Sequence, residues 1–199
     1  GHPGKIIFLT CDAYGILPPV SKLSSGQAMY HFISGYTAKI AGTERGITEP
    51  VATFSPCFGG PFLTLHPLKY AQLLEEKIEK FGSNVYLVNT GWIGGSASSG
   101  ASRVSIKNTR SMITSILDSS IENSSFTIDP IFGLQVPLEL NGVESSILSP
   151  RNAWGNKEKY DSEALKLADL FINNFKKYIT DQPELIKSGP VIKLSNQEA

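Results

Sequence analysis

The sequence has 199 residues, of which 41% are hydrophobic, and this is enough to bury one core of moderate size. Basic and acidic residues number 18 each, so no net charge attracts the chain to nucleic acid or to an anionic membrane. Two cysteines cannot form a disulfide framework, and no apolar run is long enough to span a bilayer. We therefore expect a cytosolic protein that binds a small ligand, not nucleic acid or membrane.

The first predicted elements are a strand and a helix. The apolar run Lys5–Thr10 indicates a fully buried strand. A central strand with no strand before it suggests that the sequence is the C-terminal part of a longer protein. Ser24 and Gln27 then form a capping-box pattern, and apolar residues follow at helical spacing as far as Ile40. We expect Gly42 to end this helix.

Residues 42–60 are rich in glycine, threonine and proline, which predicts a long irregular connection. Loops of such length in compact domains are usually functional lids or linkers. Within this connection, Glu44, Arg45 and Glu49 lie among glycines that could serve as hinges. Residues 43–50 are therefore a candidate lid over a site, and a solvated loop is the equally open alternative.

The next segment predicts a second helix, with Pro67 in its first turn and Gly82 just past its end. It leads into a buried strand over Val85–Val88 and then into a Gly/Ser loop over 91–100. Such a loop after an apolar strand is either a ligand site or a purely structural turn. It has neither the lysine of a phosphate cradle nor the spacing of a dinucleotide motif.

The second half predicts a short strand from Arg103, a helix capped by Asn108 or Thr109, and a long outer helix over 162–180. Between the two helices, residues 118–156 are mostly turns, with one short strand that Pro137 limits. Inward positions are expected on one face of each helix: Met112, Ile113, Ile116 and Leu117 in the first, and Leu165, Ala168, Ile172, Phe175 and Ile179 in the second. The alternation of strands and helices predicts an α/β fold.

The sequence offers no catalytic set. It contains none of the common nucleotide-phosphate, zinc-protease or serine-hydrolase motifs. His31 has no second histidine or cysteine at ligand spacing, which favours a packed residue over a metal ligand. Cys57 has no histidine near it in sequence, which favours a structural cysteine over a nucleophile. From the residues alone, Arg103 beside the Gly/Ser loop marks a possible ligand site.

Several long segments resemble the ATP-dependent phosphoenolpyruvate carboxykinase family, in the same order and over nearly the whole chain. They are FLTCDAYGILPPVSKL, YHFISGYTAKIAGTERGITEPVATFSPCFG, LHPLKYA, LVNTGW and RVSIKNTR. The resemblance implies a mixed α/β fold, with 1–199 as the C-terminal part of a single catalytic domain, in its mononucleotide-binding lobe. The phosphate-binding loop, the metal ligands and the oxaloacetate-binding residues of the family have no counterpart in this sequence.

The resemblance assigns residues 103–109 to the adenosine end of an ATP site. It implies that Arg103 lies against the base, that Val104 borders the base and lends it backbone groups, and that Thr109 supplies a hydroxyl hydrogen bond. It also favours a lid role for residues 43–50. Asn108 departs from the family, which often has an acidic residue there, and loop 91–100 is more serine-rich than in some members.

The function implied is conversion of oxaloacetate and ATP to phosphoenolpyruvate, carbon dioxide and ADP in gluconeogenesis. The substrates are then oxaloacetate and ATP, with Mg²⁺ or Mn²⁺ held by residues outside this sequence, and the chain depends on the remainder of its own protein. No catalytic or metal-binding residue is expected within the sequence, so the piece alone should be inactive. The alternative is a non-catalytic nucleotide-binding or scaffold module derived from the same fold.

Overall fold

The computed structural model describes residues 1–39, 42, 46, 48–178 and 183–192. The strands, in chain order, are β1 (Lys5–Thr10), β2 (Val20–Leu23), β3 (Tyr36–Lys39), β4 (Val51–Phe54), β5 (Asn84–Asn89), β6 (Trp92–Ile93), β7 (Ser102–Arg103), β8 (Phe126–Ile128) and β9 (Gln135–Pro137). The α-helices are α1 (Ser25–Ser34), α2 (Pro67–Phe81), α3 (Ile106–Leu117), α4 (Ser145–Leu148), α5 (Pro150–Ala153) and α6 (Lys157–Phe175). Helices and strands in one chain confirm the predicted mixed α/β class.

The main sheet has five strands in the order β1-β5-β2-β9-β8. Strands β1 and β5 are parallel and pair from Lys5 with Asn84 to Thr10 with Asn89, whereas β2 runs antiparallel to β5. Two small antiparallel pairs lie outside this sheet: β3 with β4, and β6 with β7. The parallel pair brings the ends of β1 and β5 to one edge, from which the chain enters two loops.

Side chains of the main sheet alternate between two buried clusters, as the period of two in a strand requires. In β5, Val85 and Leu87 join a cluster with α1, α2 and α6, while Tyr86 and Val88 join a second cluster with α3. The sheet is therefore covered by helices on both faces. The expectation of a central and fully buried β1 is wrong for the described residues, because β1 lies at the edge of this sheet, only Phe8 and Thr10 are buried, and Leu9 is 59% exposed. An apolar run cannot reveal whether a neighbour covers each face.

Helix α1 is shorter than the sequence predicts. Its capping box at Ser24 is present, but the helix ends at Gly35, which adopts a left-handed conformation with φ 52°. A Cβ at Gly35 would lie 1.7 Å from the Ser55 carbonyl oxygen, so only glycine fits there. The expected continuation as far as Ile40 is wrong, since Tyr36–Lys39 forms β3. The expected irregular connection over 42–60 is interrupted by β4.

The other helices confirm some boundaries and correct others. Helix α2 ends at the predicted Gly82. Helix α3 is capped by Ser105 instead of Asn108 or Thr109, and Leu117 is 64% exposed instead of facing inward. Helix α6 begins five residues before the predicted Ser162, because the Asn156 side chain accepts the Lys159 N–H and caps it.

Two further positions differ from the predicted pattern. Leu165 of α6 is exposed, although the other described positions predicted to face inward, Ala168, Ile172 and Phe175, are buried or half-buried. The turn-rich stretch 118–156 holds two strands, β8 and β9, where one was expected. Residues 179–182, with the predicted end of the last helix, lie outside the described residues, as do four residues of the candidate lid: Thr43, Glu44, Arg45 and Ile47.

Candidate functional site

The two loops that follow β1 and β5 are joined through their backbones. The Trp92 N–H donates to the Asp12 carbonyl oxygen at 2.9 Å, and the Ala97 N–H donates to the Ala13 carbonyl oxygen at 2.8 Å. Crevices at the carboxyl ends of adjacent strands are where α/β proteins commonly bind ligands. The Gly/Ser loop therefore does not extend freely into solvent, because it is fixed against the loop after β1 at both Trp92 and Ala97.

Glycines allow this close packing. A Cβ at Gly91 would lie 2.2 Å from the Asp12 carbonyl oxygen, and a Cβ at Gly15 would lie 2.2 Å from the Gly95 carbonyl oxygen. Gly15 also has φ 70°, which a larger residue adopts only with strain. Of the two interpretations of the Gly/Ser loop, the structural one accounts for Gly91, and Gly15 plays the same part in the loop after β1. Backbone proximity, and not flexibility, is what these glycines provide.

Arg103 is held in place by the residues just after β5. Its strand pairs with β6, which sets Arg103 opposite Trp92. The guanidinium carbon lies 5.4 Å from the centre of the Trp92 ring, a distance typical of a cation–π contact. Its Nε donates to the Thr90 carbonyl oxygen at 3.0 Å, and Nη2 donates to Thr90 Oγ1 at 3.4 Å. Although Arg103 is exposed, these contacts fix the plane of the guanidinium.

Val104 anchors the same segment to the core. Its side chain is buried in the second cluster together with Met112 and Ile116 of α3. Its N–H donates to the Gly91 carbonyl oxygen at 2.8 Å, so this donor is already used. The carbonyl oxygen is the remaining hydrogen-bonding group of the Val104 backbone.

Helix α3 begins two residues after Val104, and Ser105 between them is its cap. The Ser105 hydroxyl accepts the Asn108 N–H at 3.1 Å and the Ser105 carbonyl accepts the Thr109 N–H at 2.9 Å, which places Thr109 in the first turns of the helix. Thr109 is half-buried there. The structure thus puts Arg103, Val104 and Thr109 on one continuous segment that is anchored at both ends.

Both cysteines are free, and neither has the environment of a nucleophile. Burial raises the pKa of the Cys11 thiol, and the opposing effects of Arg103 and of a hydrogen bond with Thr90 are smaller. Burial also raises the pKa of Cys57 to about 11. These directions support the interpretation of Cys57 as a structural residue.

His31 is a packed histidine, as the sequence favours. It is buried in α1, with its ring centre 5.6 Å from that of Phe171. Burial lowers the pKa of His31 to about 4, so the ring is neutral at pH 7. Among the residues that the structure describes, no three His, Cys, Asp or Glu side chains are grouped as metal ligands, and no helix is long and apolar enough to cross a membrane.

The family model described as phosphoenolpyruvate carboxykinase matches residues 1–146. The chain belongs to this family. It is similar to the phosphoenolpyruvate carboxykinase (ATP) of Campylobacter lari, with 60% identity over 195 residues that cover 98% of this chain and 36% of that protein. The corresponding protein of Sulfurimonas denitrificans is 57% identical over 195 residues, which cover 97% of this chain and 37% of the relative.

A third carboxykinase relative, from Caldanaerobacter subterraneus subsp. tengcongensis, is 55% identical over 190 residues, with 96% of this chain and 36% of the relative covered. The chain therefore spans little more than a third of the length of these relatives. The family membership confirms the resemblance noted from the sequence segments.

Two residues of the site were missed by the sequence interpretation of this carboxykinase segment. Trp92 supplies the ring under Arg103, and Thr90 supplies both acceptors for its guanidinium. The signal was present, because Thr90 and Trp92 immediately follow a buried strand, where functional loops begin. What the sequence could not show is that β6 and β7 pair and so bring position 103 over position 92.

Proposed function

We propose that this chain supplies the adenosine end of the ATP site in an ATP-dependent phosphoenolpyruvate carboxykinase. The complete protein would convert oxaloacetate and ATP to phosphoenolpyruvate, carbon dioxide and ADP, in the cytosol. The names of the relatives support the reaction, and one observation carries the assignment of the site: the Arg103 guanidinium lies over the Trp92 ring and donates a hydrogen bond to Thr90. A guanidinium has two faces, so the face away from Trp92 can receive a purine ring.

The backbone of Val104 supports a preference for adenine. Because its N–H is donated to Gly91, Val104 can only accept a hydrogen bond from a base. The adenine amino group is a donor, whereas guanine carries an oxygen acceptor at the same position. A carbonyl acceptor at Val104 therefore favours adenine over guanine, and the Thr109 hydroxyl would add a further hydrogen bond.

The remaining parts of the reaction are assigned to regions outside this sequence. A divalent cation, Mg²⁺ or Mn²⁺, would neutralise phosphate charge, but the described residues offer no ligand set for it. Oxaloacetate and the ATP phosphates would likewise be bound elsewhere in the protein. We keep residues 43–50 as a candidate lid, which would limit the entry of water to the site.

Replacement of Arg103 by alanine in the complete carboxykinase tests the adenosine assignment. We expect the KM for ATP to rise about tenfold, because the cation–π contact with the base is lost, with the KM for oxaloacetate unchanged. Arg110→Ala is the matched control, since Arg110 is an exposed arginine seven residues further along the same segment. An unaltered dependence on ATP in Arg103→Ala would refute the assignment.

A turnover assay distinguishes the proposed enzyme from the alternative of a non-catalytic module. The complete protein should form phosphoenolpyruvate from oxaloacetate only when ATP is supplied, whereas the 199 residues alone should show no turnover because they lack the catalytic groups. ATP binding without turnover in the complete protein would favour the module. Turnover by the isolated piece would contradict the view that the catalytic groups lie elsewhere.

A further inference from the structure

Asn89 is a fully buried polar residue at the end of β5. Its Oδ1 accepts two backbone N–H groups, from Asp12 at 3.0 Å and from Gly91 at 2.8 Å. Its Nδ2 donates to the Leu17 carbonyl oxygen at 2.9 Å. One side chain thus joins three backbone positions in the two loops that leave β1 and β5.

Asp12 completes this arrangement, which we call the polar knot (Asp12 and Asn89). The Asp12 carboxylate is also fully buried and accepts four hydrogen bonds. The donors are the backbone N–H groups of Tyr14, Ile16 and Leu17 and the hydroxyl of Tyr36. Asp12 therefore shapes the loop after β1, and Asn89 ties that loop to the one after β5.

The hydrogen bonds of Asn89 lead directly to residues 103–109, the candidate ligand-binding segment, which we call the ligand segment. The Gly91 N–H donates to the Asn89 side chain, and the Gly91 carbonyl oxygen accepts the Val104 N–H. Thr90, between Asn89 and Gly91, provides both acceptors for Arg103. The direction of the backbone at residues 89–91 consequently sets the position of Arg103 and of the Val104 carbonyl.

The chemistry of the site requires an amide at position 89. Asparagine combines an acceptor with two lone pairs and a donor in one short planar group. An ionised aspartate could accept the same two N–H groups but could not donate to Leu17, and serine is too short to reach all three partners. Asparagine is otherwise disfavoured in strands, and burying it is costly unless it is hydrogen-bonded.

We propose that Asn89 is a positioning residue for the adenosine end of the ATP site. It acts through Thr90 and Gly91 and does not touch the nucleotide. The inference rests on the proposed function, because it assumes that the base lies against Arg103 and Val104. It predicts that changes at position 89 weaken ATP binding selectively, even where the protein stays folded.

The test compares Asn89→Asp and Asn89→Ser in the complete carboxykinase. In both variants we expect the Kd for ATP, measured by calorimetry, and the KM for ATP to rise about tenfold. The kcat at saturation and the KM for oxaloacetate should change by less than about twofold, because the rest of the site is intact. Asn156→Asp is the matched control, since an aspartate caps a helix as well as an asparagine does.

The outcomes are distinguishable. If Arg103→Ala weakens ATP binding but the folded Asn89 variants bind ATP normally, the positioning role is refuted and the proposed function stands. If ATP affinity does not respond to Arg103→Ala, the proposed function itself fails. The inference would be overturned if the Asn89 variants lowered kcat and raised the KM for ATP and the KM for oxaloacetate to a similar extent. It would also be overturned if both variants failed to fold, because Asn89 would then be only structural.

Discussion

The two faces of the five-stranded sheet are packed by different kinds of side chain. On the face covered by α1, α2 and α6, Phe171 lies at the centre of an aromatic group, with ring centres at 4.9–6.3 Å from it. The face covered by α3 is smaller and mainly aliphatic, with Val88, Met112 and Ile116 in its core. The ligand segment is anchored on this second face through Val104. The aromatic core and the anchor of residues 103–109 therefore lie on opposite faces of one sheet.

The largest expected effect comes from removing the centre of the aromatic face. Phe171→Ala deletes a fully buried ring that contacts Tyr30, His31 and Tyr36 among others. We expect the free energy of unfolding to fall by about 3–5 kcal/mol in urea denaturation. Leu170→Ala is the control on the same helix, because Leu170 is exposed and should cost less than about 1 kcal/mol. Equal losses in the two variants would contradict the central role of Phe171.

A second test on the aromatic face uses pH. Because burial lowers the pKa of His31 to about 4, from an ordinary value of 6.5, the unfolded chain binds a proton between these values that the folded protein does not. Stability should thus decrease as the pH falls from 6.5 towards 4, by about 3 kcal/mol from this residue. His31→Gln should remove that part of the pH dependence, whereas His66→Gln, at an exposed histidine, should retain it. If the free energy of unfolding changed with pH equally in the wild type and in His31→Gln, His31 would not be buried in its neutral form.

Local signals in the sequence were sufficient to predict the ends of some helices. Pro67 and Gly82 mark both ends of α2 because each acts through its own backbone geometry. The end of α1 was missed because apolar residues continue at helical spacing past Gly35. What stops the helix is the approach of Ser55, twenty residues away, and the pairing of β3 with β4. Contacts of this kind are set by the tertiary fold.

The start of α6 and the polar knot illustrate the same limit. Asn156 and Asp161 are both residue types that commonly cap helices, but only Asn156 caps α6. Asp161 is paired with Arg151 through two hydrogen bonds of 2.7 and 2.8 Å. In the site, Asn89 and Asp12 are 77 residues apart and nothing in sequence spacing connects them. Arg103, Val104 and Thr109 were predicted through the family resemblance, whereas the groups that hold them became visible only in the structure.

The smallest expected effect concerns Thr109, which lies in the segment anchored on the face covered by α3. Thr109→Val keeps the shape of the side chain and removes its hydroxyl, so α3 should retain its stability to within about 0.5 kcal/mol. We expect the Kd for ATP to rise about fivefold, the equivalent of one neutral hydrogen bond to the base. Thr114→Val is the control, since Thr114 is an exposed threonine on the same helix. If Thr109→Val binds ATP as tightly as wild type while Arg103→Ala does not, the base contacts the segment at Arg103 and Val104 but does not reach the first turns of α3.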